Sequence, residues 1–184
     1  MTYEEICNEP FLTDTLTDIP NEKGFEEYIK SINTSNITLA AFNISVKEIN
    51  KDSRKKGNEC LRAIIKELKK DNFKIFRMQG EKFNIVFLQN EYDYKTKQKL
   101  KLYFDVSMFQ LPYEIYYGIE TNDNSNFEIF RHRTVEEMYR DRNRKNQISK
   151  VNDIVKKSKA LLKMEADLLE EEKNLQRLKS GKEK

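Results

Sequence analysis

Residues 73–89, FKIFRMQGEKFNIVFLQ, set two alternating apolar runs, FKIFRM and KFNIVFLQ, on either side of Gln79-Gly80-Glu81. Side chains alternate across a strand with period two, and a short glycine-containing break between two such runs signals a β-hairpin. Its tip carries the acidic Glu81 beside the basic Lys82. A charged pair at an exposed turn is ordinarily solvated and inert, so any chemistry depends on what the rest of the chain brings to that edge.

Outward from the hairpin, residues 37–46 (ITLAAFNISV) are nearly continuous in apolar character, as in a central strand covered on both faces. Asn43 and Ser45 near its end point the same way. Before it, Phe25, Tyr28, Ile29 and Ile32 recur at helical spacing over 22–33, after the Pro20-Asn21 turn. After it, Cys60, Leu61, Ile64, Ile65 and Leu68 form the apolar stripe of a second helix over about 55–70. A Lys-rich third helix is expected over about 93–108, closed before Pro112, then a strand in PYEIYYGIE at 112–120. The loop TNDNSN leads to a helical segment expected to begin near Thr134. This order predicts an α/β (α+β) fold. One ferredoxin-like or palm-type antiparallel sheet carries packed helices, with the hairpin beside the 37–46 strand.

A chain of 184 residues suffices for one domain and an appendage. With 38% apolar and 11% aromatic residues it can bury a core, and a net charge of +3 from 34 basic and 31 acidic residues is no nucleic-acid signature. Cys7 and Cys60 lack metal-ligand spacing and His132 is the single histidine, which excludes structural zinc and Cys/His nucleophilic catalysis. No apolar run approaches the roughly 18 residues of a membrane span, and no signal-peptide pattern opens the chain, so a cytoplasmic protein with reduced thiols is expected. The Lys-, Asn- and Ile-rich usage points to a low-GC genome, bacterial or of a phage or other mobile element.

From Gln147 the composition shifts to Lys, Glu and Leu, without Pro and without Gly before Gly181. Ile154, Leu161, Leu168 and Leu175 recur every seven residues, Met164 and Leu178 fill intervening d-like positions, and Lys157 and Glu171 make the other two polar. The pattern describes either a long exposed helix packed on its own domain or a coiled-coil or partner-binding helix.

Six blocks carry a family resemblance. They are Asp14-Thr15-Leu16-Thr17-Asp18-Ile19-Pro20-Asn21, Asn43-Ile44-Ser45-Val46-Lys47-Glu48-Ile49-Asn50, Gly57-Asn58-Glu59-Cys60-Leu61, Arg77 to Phe83, Tyr117-Gly118-Ile119 and Met138-Tyr139-Arg140-Asp141-Arg142. In that order they resemble the D-x-L-T-G-L-P-N, D-x-D-x-F-K-x-I-N-D (one residue short here), G-D-x-x-L, R-x-G-G-D-E-F, S-x-G-I and A-M-Y-x-A-K segments of the diguanylate cyclase, or GGDEF, family. The resemblance implies a domain over 12–146, a short segment at 1–11 with no fused sensory domain before it, and the long helix at 147–184.

Departures within the blocks bear on activity. The resemblance implies metal ligation by the first aspartate of D-x-D and the third signature residue, assisted by the signature glutamate; these positions hold Asn43, Glu81 and Lys82. Asparagine offers a neutral carbonyl where magnesium favours a carboxylate, and Lys82 reverses a charge. Gln79 replaces the first signature glycine, where phosphates approach the backbone. The implied guanine-reading positions are Asn50, intact, and Asn58 in place of an aspartate; Lys47 and Arg142, with Arg144 or Lys145, are the implied phosphate-facing cations. Residues 69–73 lack the R-x-x-D of the family's inhibitory product site.

The leading expectation is a catalytically inactive GGDEF-like domain, binding or scaffolding through its C-terminal helix, as a homo-oligomer or with a protein partner. One alternative is a sensor that binds GTP or a cyclic dinucleotide through Asn50, Asn58, Lys47 and Arg142 without turnover. A second is a divergent nucleotide cyclase with an altered site around Glu81. No cofactor is expected, and Mg2+ at Glu81 only if nucleotide binding persists.

Overall fold

The computed structural model describes residues 1–105 and 113–180, without the side chains of residues 48 and 172–180. Helix α1 (Tyr3–Cys7) and a single 3-10 turn (Pro10–Leu12) precede a two-stranded ribbon of β1 (Thr13–Asp14) and β2 (Ile19–Pro20). Then come α2 (Glu22–Ser31), β3 (Thr38–Ser45), α3 (Lys47–Asp52), α4 (Arg54–Lys69), the hairpin of β4 (Lys74–Arg77) and β5 (Lys82–Phe87), α5 (Tyr94–Phe104), β6 (Glu114–Thr121) and α6 (Phe127–Ser180). The chain divides into two compact units, Met1–Arg142 and Asn143–Lys184.

The first unit is built on an antiparallel sheet of order β4-β5-β3-β6. β3 lies between the hairpin and β6, with Ala40 opposite Ile85 on one side and Ile119 on the other. Its run of apolar residues is explained by cover on both faces. Ala40, Phe42 and Ile44 join Phe83, Ile85 and Phe87 against Leu61, Ile65 and Leu68 of α4 and Leu100 and Phe104 of α5. Leu39, Val86 and Phe76 meet Ile6 of α1, Phe25 and Tyr28 of α2 and Phe130 of α6 on the other face. Each fully buried phenylalanine contributes about 1.5–3 kcal/mol relative to exposure.

Three departures from the sequence expectation have local causes. Helix α6 begins at Phe127, not near Thr134, because Asn126 Oδ1 accepts the Glu128 N–H at 2.9 Å and Phe130 anchors the first turn in the core. Helix α3 separates β3 from α4. Helix α1 forms within the leading segment, where Thr2 and Glu5 make a reciprocal capping box. The Tyr3 hydroxyl donates to the Ile75 carbonyl at 2.9 Å and accepts the Ile75 N–H at 3.0 Å, fixing α1 to the outer side of β4. Residues 106–108 of the expected third helix and Pro112 lie outside the described residues.

Gly118 of β6 sets how closely α6 approaches. A Cβ there would stand 2.3 Å from the Thr134 carbonyl oxygen and 2.6 Å from the Met138 nitrogen, so the helix backbone lies against the strand backbone. No helix among the described residues is long and apolar enough to cross a membrane.

Candidate functional site

The hairpin tip is held by its own backbone and by a latch from the β1–β2 ribbon. Met78 N–H donates to the Lys82 carbonyl at 2.9 Å and Lys82 N–H to that of Gln79 at 3.0 Å, with Gly80 at φ 61° making the left-handed turn. Arg77 Nε and Nη2 donate to the Gly80 carbonyl at 2.9 and 2.8 Å, and Nη1 donates to Asp14 Oδ1 at 2.7 Å. The same oxygen accepts from the N–H groups of Leu16 and Thr17 and from the Thr17 hydroxyl. Burial alone would raise the Asp14 carboxyl. The Thr17 and Arg77 hydrogen bonds overcome it and hold the group below its ordinary value.

Glu81 is fixed at both ends. Its carbonyl accepts the Ile44 N–H at 2.9 Å, tying the hairpin tip to the end of β3. Its carboxylate accepts the Val46 N–H, where the chain turns from β3 into α3, and faces Asn50 Nδ2 at a long 3.5 Å. Burial pushes the Glu81 carboxyl up; the Val46 N–H, Arg142 and Arg77 pull against that. Asn50 in turn lies on Gly57 of α4, where a Cβ would fall 1.9 Å from Asn50 Oδ1. Asn58 is half-buried beside that glycine.

On the other face, Asn43 is opposite Lys82 on β5 and Tyr116 on β6, and Ser45 is opposite Glu114. Lys82 Nζ stands 5.7 Å from the centre of the Tyr139 ring of α6, and the Arg142 guanidinium 5.7 Å from that of Tyr116. Tyr116 donates to Glu114 and hydrogen-bonds Ser45; burial, then Glu114, push its phenol well above the ordinary value. Asp141 accepts the Tyr117 N–H at 3.2 Å, fixing the turn of α6 that carries Arg142. Lys82 is thus directed toward α6, and the cations that act on Glu81 are Arg142 and Arg77. Glu114, Tyr116 and Tyr139 escaped sequence reasoning. Alternation along PYEIYYGIE puts Glu114, Tyr116 and Gly118 on one face, and that signal would have found the first two.

No protein-family model and no curated protein matches the sequence. Solved structures do. A microbial GGDEF domain studied with cyclic di-GMP matches with a TM-score of 0.59 at 19% identity, covering 71% of this chain and 92% of that one. The GGDEF domain of DgcB from Caulobacter crescentus, in complex with c-di-GMP, gives 0.58 at 17%, covering 74% and 90%. The chain has the fold of a GGDEF domain. Diguanylate cyclase SiaD from Pseudomonas aeruginosa, in complex with its activator SiaC, gives 0.63 at 16%, covering 76% of this chain and 61% of that one.

Within the GGDEF fold, the end of β3 and the hairpin tip adjoin, as the Ile44–Glu81 hydrogen bond shows. The donor set there does not fit the metal site that the resemblance implies. Asn43 supplies an amide, Glu81 one carboxylate already engaged by Val46, and Lys82 a cation. Among the described residues, no group of three His, Cys, Asp or Glu side chains could hold a metal ion. Gln79 is exposed at the turn and Lys47 is exposed at the start of α3. Arg144 and Lys145, the two candidates to accompany Arg142, belong to the second unit.

Proposed function

We propose that this chain is a member of the GGDEF family that does not turn over nucleotide and acts as a binding or scaffolding module through the helix at 147–184. The observation that carries the reading is the state of Glu81. It is engaged by the Val46 N–H and faced by Arg142 and Arg77, next to a strand end that offers Asn43 in place of a carboxylate. Each carboxylate missing at about 4 Å from a metal forfeits about 4 kcal/mol per unit of metal charge at an effective dielectric of about 20. A divalent metal has correspondingly little to hold it there. Incubation with GTP or ATP and magnesium or manganese, followed by chromatography, is expected to give no cyclic dinucleotide. A product that disappears in Glu81→Ala would overturn the reading.

A second reading has its own observation. Asn50 rests on Gly57 with Asn58 adjacent, and Arg142 lies near enough to act on the Glu81 carboxyl. That arrangement supports a sensor that binds GTP or a cyclic dinucleotide without turnover, with Mg2+ entering only alongside the nucleotide. Calorimetric titration tests it: no heat at high micromolar nucleotide removes the sensor.

A further inference from the structure

We propose that the Asn143–Lys184 unit pairs with the same helix of a second copy of this chain, in antiparallel orientation. The inference rests on the reading of this helix as the binding element. Ile154, Leu161, Met164 and Leu168 are 61–66% exposed, and Val155, Leu162 and Leu169 beside them are exposed as well. This apolar row repeats every seven residues, the period of a two-helix seam.

Charge chooses the occupant and its direction. Residues 150–163 carry Lys150, Lys156, Lys157, Lys159 and Lys163 against one acid, Asp153. Residues 165–171 carry Glu165, Asp167, Glu170 and Glu171 and no base. A parallel pair would lay like block on like block, whereas an antiparallel pair lays the basic block of each copy along the acidic block of the other.

The polar seam positions make the same choice. In a parallel, in-register pair d faces d, so Lys157 would meet Lys157 and Glu171 would meet Glu171 across the seam. Antiparallel pairing sets a against d. With Leu161 opposite Met164, Leu168 faces Lys157 and Ile154 faces Glu171 in successive layers. Lys157 then covers Leu168 of the second copy with its methylene stem and reaches Glu171 of that copy with its ammonium.

The test is sedimentation equilibrium of the full chain at low and high salt. A concentration-dependent dimer is expected, weaker at high salt because opposite charges hold it. The paired substitutions Lys156→Glu with Lys157→Glu, and Glu170→Lys with Glu171→Lys, are each expected to weaken dimerisation by about tenfold or more, and all four together to restore it. Far-UV circular dichroism of each variant separates loss of pairing from loss of helix. Strengthening by either pair alone, or failure of the fourfold swap to restore the dimer when Leu161→Lys in the otherwise wild-type chain abolishes it, overturns the antiparallel arrangement and leaves the helix as the binding element. A dimer indifferent to Leu161→Lys overturns both. A wild-type chain that stays monomeric overturns the self-pairing and leaves a different protein as the partner.

Discussion

The latch between Asp14 and Arg77 makes a quantitative prediction, because it joins two segments 63 residues apart through a mostly buried pair. The side chains are 23% and 14% exposed, so the Nη1–Oδ1 bond is partly shielded from water. A charge-assisted bond of this kind contributes about 1.5–3 kcal/mol, and the residual exposure argues for about 2 kcal/mol of coupling. Asp14→Ala also strips the acceptor from the Leu16 and Thr17 N–H groups, bringing its total to about 3 kcal/mol. Arg77→Ala leaves Asp14 with its Thr17 donors and frees only the exposed Gly80 carbonyl, so its total is smaller, about 2 kcal/mol. Urea unfolding of the two single variants and the double variant closes the cycle. The pH dependence follows from a carboxyl held below its unfolded value of about 3.9. The coupling should be complete above about pH 4 and fade as the pH falls through the lower, folded value. A coupling below about 0.5 kcal/mol at pH 7, or one that persists unchanged into acid, would refute the latch.

The other predictions address packing and the site. Gly118→Ala drives a Cβ into helix backbone that cannot rotate away, so a loss of about 3 kcal/mol is expected in urea melts, and a loss under about 1 kcal/mol would show that α6 can retreat. Gly57→Ala meets only the movable amide of Asn50 at its closest contact; stability should change by less than about 1 kcal/mol while any calorimetric nucleotide signal disappears. Because burial raises the Glu81 carboxyl, the wild type should gain stability relative to Glu81→Gln as the pH falls from 7 toward 4, where the group takes up its proton. Equal pH profiles in thermal melts would show that the carboxylate is not desolvated.

The strands and long helices were legible because periodicity is a local property. Thr38–Ser45, Arg54–Lys69 and the Lys74–Phe87 hairpin lie within a residue or two of their expected places, and so does the pairing of β3 with the hairpin. Shorter pieces were not legible. Helix α1 has one buried residue, Ile6, and α3 spans six mostly polar residues, so neither shows a repeat; only the Thr2/Glu5 capping box marked the former. The early start of α6 turned on one capping side chain, Asn126. At the site, the blocks named Asn43, Asn50, Glu81 and Arg142, but their engagement depends on groups that sequence does not display. The Val46 N–H becomes available only because β3 breaks into α3 there, and the Lys82–Tyr139 and Arg142–Tyr116 contacts need the approach that Gly118 permits.

The Tyr3 hydroxyl has a consequence for how this protein behaves in concentrated solution. β4 is the outermost strand on its side of the sheet, and a bare outer strand presents unpaired N–H and C=O groups as a template for another chain. A single phenol, serving as donor and acceptor to Ile75, occupies both groups of that residue at once. The first seven residues therefore guard the domain against strand-on-strand growth. Removal of that segment should show itself as aggregation before any change in fold.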